Sequence, residues 1–330
     1  MDGVEKESEV DIIILGVEMD MGQEIMVSVY CLAYNHEKYI KDCLEGFVKQ
    51  KTNFKYEVVV HDDASTDNTA NIIKEYADKY PDIIKPILQK ENQYSQGVHI
   101  IDKFIEPILK GKYVAICEGD DYWCDEHKLQ KQVEILENHP EYIACVHQTK
   151  TVNSSTGEVG LCSKLRKSGV IEIEKMFRDR GPVYHTSSVC YRKEALENKP
   201  DFCYIVKGVS DYSNEFALAL QGDIYYLNEV MSVYRQFTES SWSLKVKNDI
   251  LKKGKYYQDM IALLKAVDSY SKYKYKDLLD KTILDFKYKM WKLNPQFSVL
   301  KDDDFSKLSL RKKIKIIMRS ILKKNYRYSL

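Results

Sequence analysis

Along this chain, short apolar runs that stop in polar or acidic residues alternate with longer segments whose apolar positions recur every three or four residues. The run Val27-Ser28-Val29-Tyr30-Cys31-Leu32-Ala33-Tyr34-Asn35 predicts a strand over 25–33, and the helical stretch behind it, 36–50, sets Ile40, Leu44, Phe47 and Val48 on one face. The plan repeats: a strand over 56–62 leads into a helix over 67–79, with Ser65 to Asp67 as capping candidates and Pro81 as its stop. Residues 83–89 read as a strand, 91–97 as a polar loop, 98–110 as a helix halted by Gly111, and 112–117 as a further strand. A helix over 126–138 with Leu129, Val133 and Leu136 in one stripe follows, then a strand over 142–149. Residues 150–170 read as a hairpin or loop turning at Asn153-Ser154-Ser155-Thr156-Gly157. A strand over 186–192, a helix over 211–221 and strands near 223–228 and 230–235 complete this part. Beyond 243 the pattern is helical, broken at Asn294-Pro295 and Asp302-Asp303-Asp304. Strands alternating with helices predict an α/β fold, a mostly parallel sheet with helices on both faces.

Three of these strands end in chemistry-bearing residues: Tyr34-Asn35, Asp62-Asp63, and Glu118-Gly119-Asp120-Asp121 followed by Tyr122-Trp123. In an open α/β sheet, ligands bind at the carboxyl edge, where these residues converge. Carboxylates fixed side by side repel one another unless a cation lies between them. Hard divalent cations such as Mg2+ and Mn2+ take oxygen ligands and bridge protein carboxylates to substrate phosphates. A solvated acidic loop is the competing reading of the last cluster alone; the second acidic cluster at 62–63 favours the metal.

These strand ends, together with Ser210-Asp211-Tyr212 and the segment Leu227-Asn228-Glu229-Val230-Met231-Ser232-Val233-Tyr234-Arg235, resemble those of family 2 glycosyltransferases of the bacterial surface-polysaccharide type, which have a GT-A fold. The resemblance covers residues 25–240, and the order and spacing of the motifs are more specific than any one of them. It implies that Asp63, with Asp62, Ala33 and Tyr34, surrounds the base of a nucleotide-sugar donor. It implies that Asp120 and Asp121 form the acidic motif that meets Mn2+ or Mg2+ and the donor, without deciding which of the two ligates directly. Asp211 is the implied general base toward the acceptor hydroxyl, although a helix N-cap is an equally available role for it. Arg235 is implied to approach the diphosphate. Tyr122 and Trp123 are candidates for stacking on the sugar, with core packing as the alternative. The chain departs from the family pattern twice. Its acidic motif is Glu-Gly-Asp-Asp rather than a spaced Asp-x-Asp, which leaves Glu118 a doubtful third member. Gln236-Phe237 stands where many relatives carry a histidine, which makes His185 the substitute to inspect against an ordinary buried role.

Composition refines this. At 330 residues and 44% hydrophobic the chain can bury a substantial core. Its zero net charge hides a split: residues 245–330 carry 23 Lys+Arg against nine Asp and no Glu, a net of +14, which leaves −14 for residues 1–244. The shift marks a boundary near Trp242-Ser243, between a glycosyltransferase domain over 25–242 and a basic helical region over 243–330, with 1–24 as an N-terminal extension in which 11–16 reads as an extra strand or a pairing segment. The acidic start carries no secretory signal and 11–16 is too short to span a bilayer. Eight scattered cysteines form no CxxC pair and no zinc site; Cys31, Cys117, Cys145 and Cys190, within apolar runs, read as reduced core residues of a cytoplasmic protein. Leu308, Leu310, Ile314, Ile317, Met318 and Ile321 recur at helical spacing among many Lys and Arg, so residues 306–327 suit an anionic membrane surface, or alternatively the acidic front of the chain itself.

The expected protein is therefore a cytoplasmic, inverting, metal-dependent transferase moving a sugar from a UDP-sugar to a glycan or lipid-linked acceptor, peripheral on the inner membrane face. A nucleotidyltransferase would show a glycine-rich phosphate loop after the first strand, where Tyr34-Asn35-His36-Glu37-Lys38 has no glycine; a dinucleotide enzyme would show GxGxxG there. A non-catalytic sugar-nucleotide-binding protein would not need the whole set Asp63, Asp120, Asp121 and Asp211. A single amphipathic basic helix with one apolar side argues against nucleic acid as partner.

Overall fold

The computed structural model describes residues 24–178, 183–238, 249–295 and 297–327; the strand expected near 11–16 and the boundary at Trp242-Ser243 lie outside them. The order of elements is β1 (Ile25–Ala33), α1 (Ile40–Val48), β2 (Lys55–Asp62), α2 (Thr69–Lys79), β3 (Ile84–Leu88), β4 (Tyr113–Ile116), β5 (Tyr122–Trp123), α3 (Lys128–Asn138) and β6 (Tyr142–Asn153). Then come β7 (Val159–Leu161), β8 (Gly169–Val170), α4 (Ile173–Arg178), β9 (Cys190–Arg192), α5 (Glu194–Glu197), α6 (Ser210–Gln221) and β10 (Asp223–Gln236). The chain closes with α7 (Ile250–Tyr270), α8 (Lys276–Leu293), α9 (Asp303–Ser306) and α10 (Leu310–Arg327).

Both faces of β1 are buried, Val27, Val29 and Cys31 on one and Ser28 and Tyr30 on the other, as a central parallel strand requires. It pairs in parallel with β2 and β4, and β2 pairs in parallel with β3. The sheet runs β3-β2-β1-β4-β9-β6-β10-β5, with β7 on β6 and β8 on β10. β9 is antiparallel to both β4 and β6, β6 and β10 are parallel, and β5 is antiparallel to β10. This is the mixed, mostly parallel α/β sheet that the sequence predicts.

Each face has its own core. On one side Ile40, Leu44 and Phe47 of α1, Ile73 of α2 and Leu129, Val133 and Leu136 of α3 cover Val29, Val58 and Ala115. On the other, Phe177, Phe216, Leu263, Val267, Leu279 and Phe286 cover Tyr30, Val59 and Val114. The first two helices of the basic region, α7 and α8, therefore share the core of the sheet. Among the described residues the tail packs within the basic region: α10 docks on α8, burying Ile316 and Leu308 with Trp291 and Phe305, and Lys312 meets Asp285 at 2.7 Å.

Several elements differ from the expectation. Residues 101–108 wind as a π turn and a 3-10 turn rather than an α-helix, where Pro107 offers no N–H to an α-helical ladder. Thr186–Ser188 forms a 3-10 turn, because the His185 ring accepts the Ser187 N–H, so the strand there is confined to Cys190–Arg192. The two strands near 223–228 and 230–235 are one strand, β10, with register shifts between Leu227 and Ser232. β6 runs on to Asn153 before the hairpin turn.

Register at the site edge depends on a buried polar knot. Ser28 Oγ donates to Glu57 Oε1 at 2.7 Å and accepts from the Gly111 N–H at 2.7 Å, and the Lys110 N–H reaches Glu57 at 3.0 Å. The entry to β4 is thus tied to β1 and β2. Gly111 passes so close that a Cβ on it would lie 2.3 Å from the backbone N of Ser28. We expect Gly111→Ala to destabilise the fold by about 1–3 kcal/mol or more through this backbone overlap, read as a drop in denaturant midpoint at unchanged m-value.

Candidate active site

The carboxyl ends of β1, β2 and β4 lie side by side, with Ala33 opposite Asp62 in the ladder and Tyr30 opposite Ile116. The loops beyond β1 and β2 are stitched together. The Asn35 N–H donates to Ser65 Oγ at 2.9 Å, the Thr66 N–H to Asn35 Oδ1 at 2.8 Å, the His36 N–H to Thr69 Oγ1 at 2.8 Å and the Glu37 N–H to Asp67 Oδ2 at 3.1 Å. Asn35 and Ala64 take left-handed backbone angles, φ +56° and +60°. Asn tolerates this region; for Ala it is strained, and such strain persists only where neighbours over-determine it.

Asp62 explains part of that constraint. Its carboxylate accepts both the N–H and the hydroxyl of Ser65, so it turns the loop, while Asp67 accepts the Thr69 N–H at 3.0 Å at the start of α2. Asp63 is buried, and its two oxygens accept the N–H groups of Gln93 at 2.8 Å and Tyr94 at 3.1 Å. That pins the polar loop 91–97 over the ends of β1 and β2. Tyr34 beside it is exposed, Ala33 is buried, and Tyr94, which no sequence signal singles out, stands out into solvent.

The acidic loop after β4 brings carboxylate oxygens of Glu118, Asp120 and Asp121 within 4.8 Å of one another. Gly119 leaves no room for a side chain, since a Cβ there would lie 2.8 Å from His36 Nδ1. Asp121 is fully buried: Oδ1 accepts the Arg235 N–H at 2.9 Å, and Oδ2 has no hydrogen-bond partner among the described residues. Burial, and then the neighbouring Asp120 charge, push its carboxyl well above the usual range. Asp120 Oδ2 accepts the Thr238 hydroxyl at 3.2 Å. An orphaned buried carboxylate oxygen inside an all-oxygen cluster fits a hard divalent cation such as Mn2+ or Mg2+.

Arg235 closes this loop from the far side of the sheet. Its guanidinium donates to the Asp120 carbonyl at 2.9 Å, pairs with Asp42 of α1 and lies 4.4 Å over the Tyr122 ring. Arg235 thus clamps the acidic loop, and its guanidinium occupies one face of the Tyr122 ring. Trp123 packs in the core. It is buried edge-on against Phe47, its indole N–H reaches the Ser187 carbonyl at 3.0 Å, and the buried Lys128 ammonium lies 4.0 Å over its ring. Lys128 bonds Gln132 Oε1 at 2.7 Å, and burial pushes it down to about 8. Nothing in the helical stripe around Leu129 pointed to a buried lysine.

His185 comes near the acids but as a neutral ring. Its Nδ1 accepts the Ser187 N–H at 3.2 Å and sits 3.8 Å from Asp121 Oδ2, and burial lowers its pKa to about 3. At that distance and without a proton it forms no ion pair. It stacks on Tyr234 at 4.1 Å, and Ser187 Oγ continues to Ser232 and Thr149 in a buried hydroxyl chain.

Asp211 is the second residue of α6, and no side chain caps that helix, so the N-cap role is not the one it plays. It lines a cavity of about 70 Å³ with Tyr30, Glu106, Tyr184 and Lys199. Water reaches the side chains of both Asp211 and Glu118, yet protein encloses them. That enclosure raises both carboxyls; for Glu118 the charges of Asp211 and Asp120 add to it, and its pKa is pushed up to about 8. The charge of Asp211 at the start of α6 is thus felt by Glu118 of the loop after β4.

The family model described as Glycosyl transferase family 2 matches residues 28–198, just over half of the chain and all three strand ends. The chain belongs to glycosyltransferase family 2. An uncharacterized protein of Mycobacterium tuberculosis is 36% identical over 218 residues, 66% of this chain and 60% of that protein. An Escherichia coli UDP-Glc:alpha-D-GlcNAc-diphosphoundecaprenol beta-1,3-glucosyltransferase is 30% identical over 119 residues, 36% of this chain and 44% of its own. The chain spans about 60% of the length of the first of these curated relatives. Among solved structures, S. aureus TarS 1-349 in complex with UDP-GlcNAc superposes at a TM-score of 0.59 with 18% identity, over 89% of this chain and 79% of that one. A Pyrobaculum calidifontis mannosyltransferase with GDP-Man and Mn2+ gives 0.52 at 16% identity, over 91% and 88%. These likenesses show the fold, the GT-A arrangement.

Because folding raises the Glu118 and Asp121 carboxyl pKa values, the native chain holds protons that the unfolded chain has already lost between about pH 4.5 and 8. In that window the metal-free protein loses stability as pH rises. Asp121→Asn keeps the acceptor for the Arg235 N–H and removes the charge, so it is expected to raise the Tm of EDTA-treated protein at pH 8 and to change it little at pH 4.5. Equal shifts at both pH values would show that the carboxylate is not held at a disadvantage.

Proposed function

We propose that this chain is an inverting, metal-dependent glycosyltransferase that moves a sugar from a UDP-sugar to a glycan or lipid-linked acceptor in the assembly of a bacterial surface polysaccharide such as capsule, lipopolysaccharide or exopolysaccharide. The observation that carries this reading is the buried, unpaired Asp121 Oδ2 within the Glu118–Asp120–Asp121 cluster, opposite the accessible carboxylate of Asp211. The names of relatives support the polysaccharide setting: one is a putative teichuronic acid biosynthesis glycosyltransferase of Bacillus subtilis, and the E. coli relative is named for a UDP-Glc donor and a diphosphoundecaprenol-linked acceptor.

In this reading Asp121, with Asp120 and Glu118, would hold Mn2+ or Mg2+, which when bound would supply positive charge toward a nucleotide diphosphate leaving group. Arg235 acts by holding this loop against α1 rather than by touching the donor. Asp63 keeps loop 91–97 in place beside the base, and its remaining lone pairs, with Tyr34 and Ala33, form the base pocket; Asp62 shapes the turn beneath. Asp211 takes the proton from the acceptor hydroxyl as that oxygen bonds to the anomeric carbon. The bond from that carbon to the diphosphate oxygen breaks on the opposite face, which inverts the centre. The raised pKa of Asp211 suits a base that must accept a proton near neutral pH. The chemistry lies within residues 25–242. The region 243–330 supports the sheet from behind and, through 306–327, meets an anionic membrane surface on the inner face, where a lipid-linked acceptor would reside.

The test is a screen of UDP-, GDP- and dTDP-sugars by thermal shift and by donor hydrolysis, with Mn2+ or EDTA, on the native chain and on Asp121→Ala and Asp211→Asn. One UDP-sugar should stabilise the native chain only with Mn2+, and Asp121→Ala should abolish that shift. Asp211→Asn should keep the shift and lower turnover by about 10²–10⁴-fold. A folded protein that responds to no nucleotide sugar would overturn the reading in favour of a non-catalytic or nucleotidyl-transfer role.

A further inference from the structure

α10 has two apolar faces, and only one is used. Ile316 and Ser320 point inward, and with Leu308 they close over Trp291 and Phe305. The opposite face carries Leu310, Ile314, Met318, Ile321 and Leu322, which are 73%, 52%, 53%, 40% and 56% exposed. At about 100° per residue these five fall within an arc of about 120°, centred opposite the docked face. Scattered exposed apolar residues are ordinary; a contiguous stripe on one helix face is not. Around the stripe the helix carries only positive charge: Arg311, Lys312, Lys313, Lys315 and Arg319, with no acid after Asp304. Arg311 lies within this arc, in the helix's first turn, and Lys315 borders it in the open, whereas Lys312 pairs with Asp285 and Arg319 donates to the Lys292 carbonyl.

We propose that the Leu310–Ile314–Met318–Ile321–Leu322 face is an interfacial anchor that inserts among the acyl chains of an anionic phospholipid leaflet, with α10 lying in the membrane plane. This rests on the membrane-surface reading above and deepens it: the contact is apolar insertion and not charge attraction alone. Three observations commit the face to lipid. The stripe is bordered by cations and α10 carries no acid, which complements an anionic headgroup layer. The helix is anchored to the body of the protein by its other face, so the stripe needs no folding step to be presented. No helix among the described residues is long and apolar enough to cross a membrane, so a helix lying in the surface is the form of attachment this segment can take. The long Lys and Arg side chains keep their charged ends at headgroup level while the stripe sinks below it.

The test is sedimentation of the full chain with vesicles of phosphatidylcholine alone or of phosphatidylcholine mixed with phosphatidylglycerol, at low and high NaCl. Binding to the mixed vesicles should persist in part at high salt. The triple variant Leu310→Gln, Ile314→Gln, Met318→Gln, whose sites are all solvent-facing and so leave the core intact, should weaken it at least about tenfold. Ile314→Trp should be quenched by brominated acyl chains on binding. Binding that vanishes at high salt and ignores the triple variant would overturn insertion while leaving the membrane-surface reading standing. No binding to either vesicle would overturn both. Neither outcome touches the catalytic reading, which the donor screen tests separately.

Discussion

A carboxylate buried with one oxygen unpaired is among the costlier things a protein can hold, and the site edge of this sheet is arranged around one of them, Asp121. The surroundings do not relieve its charge. They fix its position: the Arg235 N–H holds one oxygen, the Arg235 guanidinium holds the preceding carbonyl, and Gly119 leaves the chain just enough room to turn. Behind it Trp123 and Phe47 make a rigid wall, and the buried Lys128 sits on the indole face. In the proposed reading, such a loop is preorganised for whatever supplies positive charge in front of it. The stability it gives up without a cation is the preorganisation it offers when one binds.

The second strand end follows the same logic with the opposite outcome. Asp63 is as buried as Asp121 is, but two backbone N–H groups from loop 91–97 satisfy it. Asp62 is satisfied by Ser65. Acidic residues at adjacent strand ends thus divide between those that build loops and those left unpaired for chemistry. Only the distribution of hydrogen-bond donors around them separates the two kinds.

That division explains what was legible in the sequence. Strand ends show because burial on both faces writes long apolar runs that must stop where the backbone meets solvent, so β1, β2 and β4 and the convergence of Asp62-Asp63 and Asp120-Asp121 could be read directly. Partners across the fold could not. Tyr122 and Trp123 follow the acidic motif in sequence, but whether a ring faces a sugar or the core depends on Arg235 and Phe47, which are far away along the chain. The same holds for His185, whose neutral state comes from a local turn at Ser187 and from burial. Where the backbone itself departs from regularity, at Pro107 and in the long β10, periodicity gave the right neighbourhood and the wrong element.

The charge split has a similar resolution. A net of +14 behind a net of −14 suggests two bodies drawn together, yet α7 and α8 join the sheet through Leu263, Val267, Leu279 and Phe286, which are apolar. The positive charge of those helices stays on the outside, along with that of α10. Exposed ion pairs contribute little to holding such surfaces to each other. Basic side chains that are not needed for internal packing, such as Arg311 and Lys315 of α10, would attract an external anionic surface over a range set by the ionic strength around it. An exposed apolar stripe on the same helix would add a short-range, salt-insensitive term to that attraction.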